Sequence, residues 1–199
     1  MEWDQITSPS LASSMRSVYQ KGLALPFTRV FKHRFKSMNK SDPVVNLSIN
    51  TPSKSLSKIL ILAIDPDDRK LFAHTEKFKN LDITKVKIGI EGVEKVNALY
   101  TSGMEKHNTH DQILKHFKEN GVSLRDFLTE KYALCFDLRP SIDDALRGNG
   151  DNLQNTSEGV TLEIHRVAGT GNGKLNLLVF VFQDAQLNIA KGRFHSIEF

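Results

Sequence analysis

The residues that first invite a chemical reading are Gly169-Thr170-Gly171-Asn172-Gly173-Lys174, where glycines lead into a lysine as they do in loops that wrap phosphate. Such a loop needs a further glycine five residues ahead of Gly173, a hydroxyl directly after the lysine, and a helix whose N-terminus faces the anion. Here Ala168 holds the first place, Leu175 follows Lys174, and what comes next has the pattern of a strand. A glycine-rich turn between two strands accounts for the same letters.

Metal chemistry meets similar obstacles. His107, His110, Asp111 and His116 form the one histidine cluster, but His110 and Asp111 are adjacent and cannot share a helix face, and His107 precedes the cap. Asp65, Asp67 and Asp68 lack the glycine and the distant bidentate Glu of a calcium loop, so they read as a turn and helix cap. Asp143 and Asp144 fall on a polar stretch with no apolar pocket to raise a carboxyl pKa. Cys135 sits in an apolar run, where a thiol is inert packing, and no nucleophile-elbow pattern exists. The sequence therefore predicts no enzyme, no cofactor and no metal.

The elements around these residues are mostly strands. Val45, Leu47 and Ile49 alternate with Asn46, Ser48 and Asn50, giving a strand with one wet face. Ile59–Ile64 is apolar throughout and β-branched, as a strand buried on both faces is. Val86, Ile88 and Ile90 alternate with Lys85, Lys87 and Gly89; Glu91-Gly92 then offers a turn, with Val93 and Val96 returning. Further strands are expected at Tyr132–Leu138, Val160–His165, Leu175–Phe182, Leu187–Ile189 and Phe194–Phe199. Between them, Thr109 to Gln112 has capping-box spacing for a helix ending at Asn120-Gly121, and Ser123 with Asp126 starts a second helix. Ser141–Ser157, rich in Asn, Asp and Gly, reads as a long loop. Short strands without strand–helix–strand alternation predict an antiparallel sandwich with a short helical insertion.

Charge divides the chain at the front. Residues 1–40 hold Arg16, Lys21, Arg29, Lys32, Arg34, Lys36 and Lys40 against Glu2 and Asp4, a surplus of five; the whole chain carries +4, so residues 41–199 carry −1. The densest stretch, Arg29–Lys40, interleaves Val30, Phe31 and Phe35 with its bases, which gives two readings: phosphate neutralisation with aromatic stacking, or an arm that buries its rings on the following domain. Leu11, Met15, Val18, Leu23 and Leu25 outline a short helix before it. The expected organisation is a basic arm or short helix over residues 1–43 and a sandwich over 44–199.

Composition sets the outer limits. With 199 residues, 39% apolar and 25% charged, the chain is ordinary globular material, which excludes collagen-like, coiled-coil and wholly disordered readings. A single cysteine rules out an internal disulfide framework and fits a reducing compartment. No apolar run approaches the roughly 18 residues that cross a bilayer, so no membrane association is expected, and the opening MEWDQITSPS lacks a secretory pattern. An intracellular protein of cytoplasm or nucleus is expected, for which the glycosylation triplets at Asn39, Asn46 and Asn155 have no use.

Several stretches taken together carry a resemblance: Lys54-Ser55-Leu56 leading into Ile59–Ile64, Lys131-Tyr132-Ala133-Leu134 followed by Asp137-Leu138-Arg139, Leu99–Met104, Ser157–Leu162, and the ending from Asp184 to Phe194. From about Asn39 to Phe199 the chain resembles the C-terminal part of the capsid-like proteins of Polinton/Maverick elements and related adintovirus-like viruses. That resemblance implies a jelly-roll subunit like those of double-jelly-roll major capsid proteins, which form trimers of pseudo-hexagonal outline, and it implies a virion location wherever particles form. A double jelly roll needs two sandwiches and this chain has strands for about one, which fits the second roll of a longer protein, a shortened copy or a single-roll relative.

The expected function is structural: a homo-oligomer, a trimer by resemblance, meeting copies of itself and other capsid proteins through sandwich edges and loops. The expected contact residues are Arg29, Lys32, Arg34 and Lys36 of the basic segment, which would meet another subunit or nucleic acid, and Asp184, Gln186, Asn188, Arg193 and Phe194 near the end. The alternative is a nucleic-acid-binding module using residues 16–40. A carbohydrate- or ligand-binding sandwich ranks behind both, because it needs a concave polar pocket with exposed aromatics, and Trp3 and three tyrosines are few.

Overall fold

In the computed structural model, which describes residues 9–50, 55–66, 77–100, 123–139, 159–169, 173–190 and 193–198, the strands nest around one tight turn. Glu91 and Gly92 have φ of 53° and 74°. Two consecutive left-handed residues make the hairpin turn whose twist matches the flanking strands, here β4 (Ile83–Ile90) and β5 (Val93–Leu99). Outside this hairpin, β3 (Leu56–Ile64) pairs with β6 (Ala133–Asp137), and β2 (Val44–Ile49) pairs with β7 (Val160–Arg166). Outermost, β1 (Leu23–Asn39) pairs with β8 (Lys174–Ala190), and all these pairs are antiparallel. Successive pairs fall alternately into two sheets, ordered β1-β8-β3-β6 and β2-β7-β4-β5. A long antiparallel hairpin rolled up in this way is a jelly roll, as expected from the strand inventory. The final strand, β9 (Arg193–Glu198), adds to the trailing half of β8.

The core lies between the sheets. Alternate residues of β8, namely Leu175, Leu177, Val179 and Val181, meet Ile59 and Ile61 of β3 and, from the opposite layer, Ile49, Val86, Ile88, Val160, Leu162 and Ile164. Two helices flank the sandwich: α1 (Pro9–Lys21) and α2 (Leu124–Thr129). Ser123 caps α2, its hydroxyl accepting from the Asp126 N–H at 3.1 Å, and the helix carries Phe127 into the core beside Tyr132, with ring centroids 5.3 Å apart.

Residues ahead of Val44, expected to be an arm or helix, supply both α1 and a full strand. β1 is hydrogen-bonded to β8 from Leu23 opposite Ile189 to Asn39 opposite Lys174. Two features hide it in the sequence. Pro26 speaks against a strand, yet β1 is an edge strand, where a missing N–H is tolerated. A bulge between Val30 and Lys32 also shifts the alternation by one, so no single period runs through the segment. The expected pieces Leu175–Phe182 and Leu187–Ile189 are parts of one continuous strand of 17 residues. The expected helix at 109–120, the His107–His116 cluster, the loop at 141–157 with Asp143 and Asp144, and the acidic pair Asp67 and Asp68 lie outside the described residues.

Two substitutions test this architecture by urea unfolding. Leu177→Ala removes a fully buried side chain from the part of β8 that lies in the core and is expected to cost about 2–5 kcal/mol. Gly159 has φ of 67°, and a Cβ there would lie 2.6 Å from the Ile49 carbonyl oxygen, so Gly159→Ala is expected to cost about 1–3 kcal/mol.

Candidate functional site

Among the described residues no His, Cys, Asp or Glu group is placed to hold a metal ion, and the surfaces of the roll carry the features that differ from one side to the other. The two outer faces differ in kind. On the β2-β7-β4-β5 sheet, Asn46, Glu163 and Lys87 line up across one register row, with His165 and Lys85 in the next. Glu163 takes a close contact from His165 Nε2 and lies 3.5 Å from Lys87 Nζ; these partners, His165 first, hold its carboxyl below its ordinary pKa. Gly89 leaves a hollow of about 660 Å³ in this face, lined by Asn46, Ser48, Thr161 and Glu163 among others, with no aromatic ring in its wall.

The outer face of the other sheet is apolar. Leu178, Phe180 and Phe182 of β8 are half-buried beside Leu60 and Leu62 of β3, while Val30 and Phe35 of β1 stand exposed. Cys135 belongs to this face by its register with Leu60, but it is buried; burial pushes its thiol pKa up to about 12, against the pull of Lys58 and Arg139. So buried a thiol stays protonated at neutral pH. Beside it, Asp137 receives both arms of the Arg139 guanidinium, at 2.9 and 2.6 Å, and the Arg139 backbone N–H at 3.1 Å. Burial pushes the Asp137 carboxyl upward, but Arg139, helped by Lys58, outweighs it and holds the pKa below the ordinary value.

The basic segment is arranged by strand geometry. Arg29, Lys32, Arg34 and Lys36 pair with Gln183, Val181, Val179 and Leu177; Arg29, Arg34 and Lys36 belong to the side of β1 that looks toward the opposite sheet, while the side chain of Lys32 lies outside what the structure describes. That sheet stops at β2, and the bases line the seam between the two edges. Lys36 Nζ closes it by donating to the Asn46 carbonyl, and Lys40 Nζ pairs with Asp65 at 2.7 Å. Phe35 lies on the opposite side of β1 from Arg34 and Lys36, so ring and base do not present one combined surface for nucleotides.

The ending residues divide as well. β1 and β8 each run 17 residues, while the facing strands run 6 to 8, so the far halves of β1 and β8 extend beyond the sandwich and, with β9, form a three-stranded ribbon. On one face of it Thr28 donates to Asp184, Gln186 donates to Asn188, and Asn188 donates to Ser196. Arg193 stands opposite Ala190 on that side, whereas Phe194 pairs with Ile189 on the other. Sequence reasoning singled out Asp184, Gln186 and Asn188 but passed over Leu23, Leu25, Phe27 and Ile197, which share the face of Phe194. Their alternation was the available signal.

No protein-family model and no curated protein matches the sequence. Among solved structures, VP54 of the virus PBCV-1, fitted into a cryo-EM reconstruction of the virophage Sputnik, matches with a TM-score of 0.52 at 9% identity, over 96% of this chain and 54% of that one. The two share a fold. A quasi-atomic model of the PBCV-1 virus capsid gives a TM-score of 0.44 at 11% identity over 88% of this chain and 52% of that one. The major capsid protein P2 from bacteriophage PM2 gives 0.40 at 15% over 81% and 45%. The chain thus spans about half the length of each, and at 9% identity the likeness to VP54 is one of fold.

Two outcomes check the described chemistry. The Cys135 thiol is expected to stay unreactive toward a soluble thiol reagent at pH 8 in the folded protein and to react fully in denaturant. Asp137, with its pKa lowered by folding, contributes stability that is present above about pH 4 and is lost as pH falls through its folded value; urea titrations from pH 7 to pH 3 are expected to show this loss in the wild type and a smaller one in Asp137→Asn.

Proposed function

We propose that this chain is a non-enzymatic structural subunit of a capsid-like shell, encoded by a virus-like mobile element of the Polinton/Maverick kind, which assembles with copies of itself through its jelly roll. The observation that carries the reading is the nested strand pairing, closed into a roll whose fold is shared with PBCV-1 VP54 along almost the whole chain. The resemblance of the Leu56–Ile64, Lys131–Arg139 and Asp184–Phe194 stretches to capsid-like proteins supports the same class. So does the surface: one sheet turns an apolar outer face outward, with Val30 and Phe35 exposed on it, as a subunit that meets neighbours does.

In this reading the trimer implied by the resemblance uses the apolar sheet face, and the polar face of the other sheet stays in water. The bases at the β1–β2 seam act between subunits, facing carboxylates of a neighbour. Their separation from Phe35 supports this role over nucleic-acid binding. A location in particles follows wherever particles form.

The test is assembly itself. Light scattering coupled to size exclusion, over a hundredfold range of concentration, is expected to show a rising mass that settles at a multiple of 22.4 kDa, and negative-stain microscopy is expected to show discrete oligomers. A strict monomer at the highest concentration refutes the proposal. Phe35→Glu, which puts a charge on the apolar sheet face, is expected to raise the midpoint of association at least tenfold.

A further inference from the structure

The ribbon built from the far halves of β1 and β8 with β9 is the part of the molecule that the roll leaves unfinished. In the sandwich proper, the inward residues of β8 are covered by the opposite sheet, and Val179, Val181 and Gln183 are buried. Past Ala185, itself buried, that cover ends because the opposing strands are less than half as long. The inward face nevertheless continues apolar: Ala185, Leu187 and Ile189 on β8, Leu23, Leu25 and Phe27 opposite them on β1, and Ile197 and Phe194 on β9. Of these, Leu23, Leu25, Phe27, Phe194 and Ile197 are 39 to 67% exposed, even with α1 in place at the ribbon's tip. The reverse face, by contrast, carries the ladder of Thr28, Asp184, Gln186, Asn188 and Ser196 and needs no cover.

We infer that this apolar face is a self-docking surface, on which the ribbon of a second copy packs face to face about a two-fold axis. The inference rests on the self-assembling reading given above and specifies one contact within it. Three features favour a second copy as the occupant. Among the described residues past the Arg29–Gln183 pair, the face carries no charged side chain, so a copy meets no like charge there and a different partner finds none to complement. Two such ribbons stacked about 10 Å apart would restore, over this stretch, the two-layer arrangement that the short sheet fails to provide. The exposed apolar area comes to roughly 500 Å² per copy from ordinary side-chain sizes, so a pair buries about 1,000 Å², the lower bound of a specific interface. Identical faces meeting one another give a closed pair instead of an open chain.

The experiment compares the full chain with Leu25→Glu/Phe194→Glu, which places two charges on the apolar face, and with Ser196→Asp, which places one on the reverse face. All three are followed by sedimentation velocity over a hundredfold concentration range, with far-ultraviolet dichroism and thermal midpoints to verify folding. The expected result is a dimer or an even-numbered assembly for the wild type and for Ser196→Asp, and an association midpoint raised at least a hundredfold for the double variant. A second readout uses Ile197→Cys with a short bismaleimide, Cys135 being buried: a covalent dimer is expected at concentrations where the wild type associates. If the double variant associates as the wild type does, or if Ile197→Cys yields no covalent dimer, the ribbon contact is overturned while shell assembly through the sheet face stands. If the wild type is a monomer throughout, both readings fall.

Discussion

From Leu177 to Phe182, β8 is apolar on both of its faces, and a strand of that kind is stable only where neighbours take up both hydrogen-bonding edges and something covers both sides. The fold meets the first demand by placing β1 on one edge and β3 on the other, and meets half of the second by laying the shorter sheet over Leu177, Val179 and Val181. The remaining features follow from this placement. β3 must itself be apolar because it lies next to β8; β1 becomes an edge and accepts a proline and a bulge; and the outward residues of β8 and β3 combine into a greasy surface on only one of the two sheets.

Much of this was legible in the sequence. Alternation located β2, β4, β5 and β7, an unbroken β-branched run located β3, and Glu91-Gly92 announced the turn around which the other pairs nest. Ser123 with Asp126 located the start of α2. What escaped was β1, because strand recognition depends on a constant period of two and the bulge at Phe31 resets it. Register also escaped, and register decides function here: the same letters from Arg29 to Lys36 look like a mixed aromatic and basic patch in one dimension, but pairing with β8 sends bases and Phe35 to opposite sides. The ending stretch was marked as a contact region by resemblance, while its division into a polar ladder and an apolar face needed the β8–β9 pairing.

The unequal strand lengths explain why surfaces, and not a pocket, carry the functional reading. A roll whose two sheets matched in length would close on itself with its inward residues covered. Here the longer sheet overshoots, and its inward face stays apolar past the end of its partner. The hollow over Gly89 is lined by polar residues of β2, β4 and β7, and the cysteine is packed into the sheet.

The nesting also fixes an order of events during synthesis. Thr28 and Asp184, which are hydrogen-bonded across β1 and β8, are separated by 156 positions, so the strand that anchors the longer sheet leaves the ribosome long after the strands it joins. A nascent chain can form the β4–β5 hairpin early, but β1 and β3 wait with open edges until β8 emerges. A product truncated before β8 would therefore lose the strand that joins β1 to β3 and leave both of their edges open to pairing with another chain.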